Sequence, residues 1–444
     1  MSNEEGEQQM FDWGDEKYDD RCLDMCGKNI AAADIGDFLR SLGDDLKEVS
    51  GLKIVDLSGN RIGALNEDMQ PIHRLLTASS NSLTALNLCG NPLGEEQRHA
   101  GPVVALAETS RGLSRLKVLD LSECTLIGRA NHRYKGLIAL GNAFAGRKNG
   151  LSHLRLCNNS LHSEAALIIA GWLPGVPKLR YLDISSRAGF DPLCGSLSTL
   201  FHLQTLRLGR CGMDDGEAEG VSSFLASSAR LECLDLSSNQ ARTQRDWGWG
   251  KMIHVRGARQ LAWAMRSNGT LGSLLLRNNA IGDEGAKLLA SAIPYADSLA
   301  ELDVSSNGLT AGVKDAFIDA ALASVTLTTY RQSKMLNDIP PGDEEAMKQY
   351  AAANLELKRV VEAPESYDLS TASTILETSL LAKFDKLPPG VVERLKNNPT
   401  FMEDDGPMRE AVLRVSPPNQ AGRGGGGGGG EGGGKVSNVQ RVEG

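Results

Sequence analysis

The sequence predicts a repeating α/β fold in which a parallel sheet forms one side and helices cover the other. An eleven-residue leucine pattern recurs nine times, and each copy alternates apolar and polar residues as a strand does. Successive copies begin 24 to 40 residues apart. Parallel neighbouring strands need a crossover connection, usually a helix, and these spacings leave room for one helix each. We therefore expect one open parallel sheet with one helix per repeat.

The pattern is Leu-x-x-Leu-x-Leu-x-x-(Asn or Cys)-x-Leu, with a mean spacing of about 31 residues. A degraded copy, "CLDMCGKNI" at residues 22–30, is expected to start the array. A single strand and helix of this length cannot bury its own apolar face, so each unit must pack on its neighbours. Clear copies begin at Leu52, Leu83, Leu116, Leu151, Leu179, Leu203, Leu231, Leu271 and Leu299.

Each position of the pattern has its own physical role. The leucines are expected to point inward, and each contributes roughly 1.5–3 kcal/mol when fully buried. At the ninth position the chain turns away from the strand, and a side-chain amide there can satisfy the exposed backbone groups. We expect a hydrogen-bonded ladder of Asn60, Asn91, Asn159, Asn239, Asn279 and Asn307, with Cys124 and Cys211 in the same place.

The repeat that begins at Leu179 departs from the pattern. Arg187 occupies its ninth position, where a long cation does not fit. The following segment, "SSRAGFDPLCGSLSTLF", contains too many Gly and Pro breaks for a full helix. We expect a local change of curvature there.

The copies resemble the leucine-rich repeat family, in the long-repeat subclass typified by ribonuclease inhibitor, over about residues 20–325. The resemblance implies an α/β solenoid shaped as a horseshoe, with a concave parallel sheet and convex helices. The expected crossover helices lie near residues 31–42, 66–79, 95–109, 133–146, 163–173, 215–227, 256–267, 283–293 and 312–323.

The sequence outside the repeats divides the chain further. The first twenty residues carry Phe11, Trp13 and Tyr18 among eight carboxylates, which indicates either an interaction tail or a cap over the first repeat. Amphipathic patterns after the array predict further helices, and a run of seven glycines predicts disorder. The predicted parts are the acidic segment 1–20, the repeat domain 21–330, a helical extension 331–416 and a disordered tail 417–444.

Composition limits the possible functions. The formal net charge of −9 argues against binding a nucleic-acid backbone as the main task. The acidic start has no apolar signal region, and no run approaches the roughly 18 apolar residues of a membrane helix. We expect an intracellular, cytoplasmic monomer that binds neither nucleic acid nor membrane, with the nucleus, cytoskeleton and cilium left open.

The eight cysteines are expected to be reduced and structural. Five of them occupy the seventh or ninth position of the pattern, and the seventh-position cysteines never fall on adjacent strands. Alternate strands, at about 4.8 Å per strand, hold Cα atoms beyond ordinary disulfide reach. Cys22 and Cys26 lack the further His or Cys ligands that a metal site needs. We predict no metal, no cofactor and no catalytic residue, since no phosphate loop, metalloprotease motif or nucleophile elbow is present.

The fifth position of each copy projects outward between two buried leucines. Its middle five members alternate in charge: Asp120, Arg155, Asp183, Arg207 and Asp235. One interpretation is structural, with aspartate as the family default and the arginines relieving its repulsion. The other is a docking face whose arginines bind partner carboxylates in bidentate fashion.

A second candidate lies in the longest linker, "QARTQRDWGWGKMIHVRGAR" at residues 240–259. It combines Trp247 and Trp249 with several basic residues, and Trp and Arg are enriched among interface hot spots. The alternative is that both tryptophans pack back over a helix edge.

We predict a non-enzymatic scaffold that binds a partner protein through the curved repeat surface. The alternative is an accessory protein that activates GTP hydrolysis by a Ran-like GTPase, because Ran GTPase-activating proteins use the same long-repeat horseshoe. The predicted partner-binding residues are Arg155, Asp183, Arg207, Asp235, Trp247 and Trp249.

Overall fold

One parallel sheet runs through the whole described array. The computed structural model describes residues 21–43, 46–64, 68–94, 101–127, 134–145, 150–161, 163–186, 193–239, 252–313, 316–317, 319–320, 324 and 329–331. Within these segments, eleven strands of three residues each lie side by side in sequence order. Strands β1 to β11 are Cys22–Asp24, Ile54–Asp56, Ala85–Asn87, Val118–Asp120, His153–Arg155, Tyr181–Asp183, Thr205–Arg207, Cys233–Asp235, Ser273–Leu275, Glu301–Asp303 and Thr329–Arg331.

Helices connect the strands, as parallel pairing requires. In the described segments, α1 to α10 are Ala32–Ser41, Lys47–Ser50, Gln70–Ala78, Gly101–Ser110, Lys135–Ala145, Ser163–Trp172, Cys194–Leu197, Asp215–Ser227, Val255–Ser267 and Gly282–Ala292. Short 3-10 turns cover Leu173–Gly175, Ile293–Tyr295 and Ala311–Val313.

Helix α8 shows how the local sequence starts a helix. Asp214 accepts hydrogen bonds from the backbone N–H groups of Gly216 and Glu217, and the Glu217 carboxylate accepts one from the Asp214 N–H. This reciprocal cap satisfies donors that an α-helix leaves unpaired. Asp215 then accepts bonds from the N–H groups of His254 and Gly257 at the start of α9. Asp214 and Asp215 therefore bind backbone N–H groups at the starts of two adjacent helices.

The α/β solenoid with a parallel sheet is as predicted. The helix predicted at 215–227 has those bounds, and the others agree to within a few residues where they are described. Between β6 and β7, the described helix is the single turn Cys194–Leu197, in keeping with its Gly and Pro content. The last strand, Thr329–Arg331, belongs to a repeat that the leucine pattern did not reveal.

The leucine core lies between sheet and helices. The fourth and sixth positions of the repeats, from Val55 and Leu57 to Leu302 and Val304, are at most 2% exposed and belong to one continuous cluster. Because strand side chains alternate between faces, the third and fifth positions lie on the opposite side. We call that side the outer face.

The asparagine ladder is present. Asn91 donates from Nδ2 to the carbonyl oxygens of Leu57 and Leu88, and its Oδ1 accepts from the Ile62 N–H. Asn307 makes the equivalent contacts near the other end of the array. Each amide thus joins its own strand to the preceding repeat, and the ladder satisfies buried backbone groups.

In two repeats another residue type makes a contact that asparagine makes elsewhere in the ladder. Cys124, at a ninth position, directs Sγ to the carbonyl oxygen of Leu88 at 3.0 Å, as an asparagine amide would. In the repeat with Arg187, which lies outside the described residues, Ser186 Oγ accepts from the Leu161 N–H at 3.2 Å. The hydroxyl one position earlier therefore supplies the acceptor that the pattern lacks.

The described residues contain no helix that is both long enough and apolar enough to span a membrane. Most of their helices are amphipathic elements that bury one side against the leucine core.

Candidate functional site

The five fifth-position charges lie in one register across strands β4 to β8. In the register of the parallel strands, Asp120 lies beside Arg155, Arg155 beside Asp183, Asp183 beside Arg207, and Arg207 beside Asp235. The structure therefore brings four predicted binding residues into one row with Asp120. Neighbouring members of such a row stand about 4.8 Å apart at the backbone.

The aspartates of this row have a structural task. Asp120, Asp183 and Asp235 each accept a hydrogen bond at Oδ1 from the N–H two residues later, at 2.7–2.9 Å. The same contact recurs outside the row at Asp56 and Asp303. This side-chain bond stabilises the turn that follows each strand. The structural interpretation therefore explains the recurring aspartate, but it does not explain the arginines.

Tyr181 organises the two arginines. The Arg155 guanidinium lies 4.6 Å from the centroid of the Tyr181 ring, and the Arg207 guanidinium lies 5.7 Å from it. The His153 ring stacks on the same tyrosine, with centroids 5.7 Å apart and planes inclined by 23°. Two cations and an imidazole thus surround one aromatic ring at cation–π and stacking distances.

The two arginines differ in environment. Arg155 is 9% exposed, and its Nη1 lies 4.0 Å from Asp120 Oδ2. Arg207 is half-buried, and its Nε is shielded from solvent without a hydrogen-bond partner within the described structure. Arg207 therefore keeps donor capacity that the fold does not use.

Burial dominates the electrostatics of the row. It raises the pKa of the Asp120 carboxyl, against the lowering effects of Ser122 and Arg155. It likewise raises the pKa of Asp183, which Ser185 and both arginines oppose. Burial alone would lower the pKa of Arg207, but Tyr181, Asp183 and Asp235 raise it overall. Arg207 stays cationic, since its ordinary pKa is already far above neutral.

The comparisons with known proteins agree with the repeat geometry. A family model described as "Leucine Rich repeat" matches residues 267–290. Over 229 residues, or 46% of this chain, the sequence is 31% identical to the ribonuclease inhibitor of Sus scrofa. The repeats of this chain are thus similar to leucine-rich repeats of the ribonuclease-inhibitor-like subclass. The chain spans about half the length of that inhibitor, 49% of it.

The chain also resembles longer proteins. It is 27% identical over 289 residues to the "NACHT, LRR and PYD domains-containing protein 12" of Homo sapiens, covering 55% of this chain and 27% of that one. An internalin structure from Listeria monocytogenes aligns with a TM-score of 0.35 and 16% identity, over 66% of this chain and 82% of that chain.

Sequence reasoning missed Tyr181, the centre of the arginine cluster. The signal was available, because the third position of each copy also projects outward and Tyr181 is the one aromatic ring in that position besides His153 in β1–β10. Trp247 and Trp249, the other predicted binding residues, lie outside the described residues, so their role stays a prediction.

The cysteines of the repeats are free thiols wherever their side chains are described. Burial raises the pKa of Cys211 to about 12, and burial with Asp183 raises that of Cys157 to about 12. Such thiols are poor nucleophiles and poor metal ligands at neutral pH. In the part of the chain that the structure describes, no group of three His, Cys, Asp or Glu side chains could hold a metal ion.

Proposed function

We propose that this leucine-rich repeat protein is a non-enzymatic scaffold that binds a partner protein through the outer face of β5 to β8. The arginine cluster around Tyr181 carries the proposal. Its three central side chains, Arg155, Tyr181 and Arg207, are held by the sheet register and by mutual stacking. Tyr and Arg are also the residue types that dominate binding energy in protein interfaces.

Rigidity is the physical advantage of such a site. A side chain that is already fixed in the free protein loses little conformational freedom when a partner binds. Arg155 is fixed between the Tyr181 ring and the Asp120 carboxylate, whereas a surface arginine would have to be ordered on binding. A modest number of contacts can therefore give useful affinity.

The chemistry of the cluster favours a carboxylate on the partner. Arg207 is half-buried rather than buried, and a guanidinium binds a carboxylate through two parallel hydrogen bonds. The aspartates on either side limit where that carboxylate can lie, because they repel a misplaced negative charge. The alternation of sign would thus give specificity rather than raw affinity.

Charge reversal tests the proposal. We expect Arg155→Glu/Arg207→Glu to reduce partner recovery at least about tenfold in quantitative affinity capture with mass spectrometry. The control Arg256→Glu/Arg259→Glu changes the same charge on helix α9, where both arginines are exposed and pair with exposed glutamates. It should leave recovery unchanged.

The stability of each variant separates docking from structure. If the cluster reversal lowers the melting temperature but leaves every partner bound, the arginines are structural and the docking proposal is wrong. A parallel Trp247→Ala/Trp249→Ala variant tests the linker. Loss of the partner in that variant alone would move the binding surface from the outer face to residues 240–259.

A further inference from the structure

The outer face is unevenly covered along the array. Its third-position residues Ile54, Ala85 and Val118 are 0–1% exposed and form an apolar cluster separate from the leucine core. Cys22 is the only described hydrophobic residue that packs against this row from outside it. The side chains lie on the face opposite the helices, so the leucine core cannot be what covers them.

The neighbouring fifth-position residues confirm the shielding. Asp56, Asn87 and Asp120 on β2 to β4 are 3–6% exposed. Further along the array, the outer-face residues of β7 to β9 are half-buried: Thr205, Arg207, Cys233, Asp235, Ser273 and Leu275.

Arg155 and Asp183 on β5 and β6 are also buried, at 9% and 7%, but there the large Arg155 and Tyr181 side chains pack on one another. The side chains of β2 to β4 are too small to cover one another in this way, so something else lies on them. The shielded part is β2 to β4, since Asp24 on β1 is exposed.

The distances along the sheet indicate which segment of the chain covers this part of the outer face. Residues 1–20 enter the array directly at β1, and β1 to β4 span about 14 Å at 4.8 Å per strand. Eleven extended residues reach about 36 Å, which is ample. The segment after β11 starts seven strands away from β4, about 34 Å along the sheet. The covered end is thus the one next to the N-terminal segment.

Sequence chemistry agrees with that choice. The stretch "MFDWGDEKYDD" at residues 10–20 interleaves three aromatic residues with acidic ones. Aromatic rings suit the apolar row of Ile54, Ala85 and Val118. The carboxylates suit Lys53 and Lys117, which directly precede β2 and β4 at the amino-terminal edge of the sheet.

We infer that residues 10–20 bind across the outer face of β2 to β4, next to Cys22, with Phe11, Trp13 and Tyr18 on the apolar row and the carboxylates at Lys53 and Lys117. The chain therefore occupies part of its own outer face. A partner meets the outer face from β5 onward, or must displace this segment to reach the rest.

Thiol labelling of the full chain tests the inference. Cys22 and Cys233 occupy the same third position, on β1 and β8, and both are half-buried. We expect Phe11→Ala/Trp13→Ala/Tyr18→Ala to raise the alkylation rate of Cys22 at least about tenfold, by uncovering it, and to leave Cys233 unchanged. An unchanged Cys22 rate in this variant would overturn the inference.

A matched control removes one Phe, one Trp and one Tyr elsewhere. Phe201, Trp263 and Tyr295 are 75%, 57% and 61% exposed, so their replacement by alanine should leave the Cys22 rate as in the wild type. An equal rise in this control would show general loosening of the fold and would also count against the inference.

Zero-length carbodiimide cross-linking identifies the occupant, since it joins a carboxylate to a lysine amine in direct contact. We expect links from Asp12, Asp15 or Asp19 to Lys53 or Lys117 within one molecule, shown with mixed isotope-labelled chains. Links from these lysines to carboxylates of residues 343–362 instead, or between two copies, would overturn the assignment.

Discussion

Strands β2–β4 and β7–β9 share one register and one leucine core, yet their outer faces differ. The first group presents small and branched apolar side chains at the third position, and these are fully buried. The second presents Thr205, Cys233 and Ser273, which remain half-buried. The repeat therefore fixes the shared frame, by which we mean the strand register, the leucine core and the asparagine ladder. The third and fifth positions decide what each part of the outer face can contact.

The largest expected loss of stability should be similar towards both ends of the array, because it concerns the asparagine ladder of the shared frame. Asn91→Ala and Asn307→Ala each remove a buried amide that joins two repeats. The carbonyl and N–H groups left unpaired should lower the free energy of unfolding by about 4 kcal/mol in each case. Urea denaturation measures both. A cost confined to one end would show that the frame is not uniform.

Apolar truncation should separate the regions. Ile54→Ala removes a fully buried side chain from the shielded face and should cost about 2–4 kcal/mol in unfolding free energy. Leu275→Ala removes an apolar side chain from the half-buried face and should cost less than about 1 kcal/mol. Equal costs in urea denaturation would mean that the two faces are covered alike.

The arginine cluster on β5 to β7 joins these regions, and its tyrosine should contribute a smaller amount to stability. Tyr181→Leu keeps apolar volume but removes the ring against which His153 and Arg155 stack, and should cost about 1–2 kcal/mol. Tyr295→Leu is the matched control, because Arg266 lies 4.8 Å from its ring centroid at an exposed site. Its thermal denaturation should resemble that of the wild type, and a larger loss than at Tyr181 would contradict this account.

The smallest expected effect is a pH dependence. Burial raises the native pKa of Asp120 and Asp183 above the ordinary 3.8, so the native state holds these protons more tightly than the unfolded state. Their contribution to stability is full below that ordinary value and is lost as the pH rises through the raised native pKa. Asp120→Asn/Asp183→Asn does not titrate there and keeps an oxygen for the turn.

The variant should therefore gain stability relative to the wild type as the pH rises above about 3.8, the ordinary pKa of these carboxyls. Paired urea titrations at several pH values measure the difference. A relative gain that grows as the pH falls would contradict the assignment, since it would require these carboxyls to be stabilised in their charged form.

Much of this molecule could be predicted from its sequence because the repeat fixes both period and register. The strands, the helix at 215–227 and the asparagine ladder all follow from where leucine and asparagine recur. Ser186 and the strand Thr329–Arg331 were missed because they fill their roles without the residues that define the pattern.

The site was harder to predict than the frame. Tyr181 stands at a position that the leucine pattern leaves unspecified, so only its contacts with Arg155 and Arg207 reveal its role. The shielding of Ile54 and Val118 depends on what lies across the face, and no local pattern within their own repeats encodes it.

The register between β8 and β9 is unaffected by the longest linker of the array. Cys233 still pairs with Ser273 and Asp235 with Leu275, although their repeats begin 40 residues apart. A linker can therefore lengthen, shorten or acquire new chemistry without disturbing adjacent repeats. Such an architecture lets a lineage add recognition segments, or duplicate a whole repeat, one unit at a time.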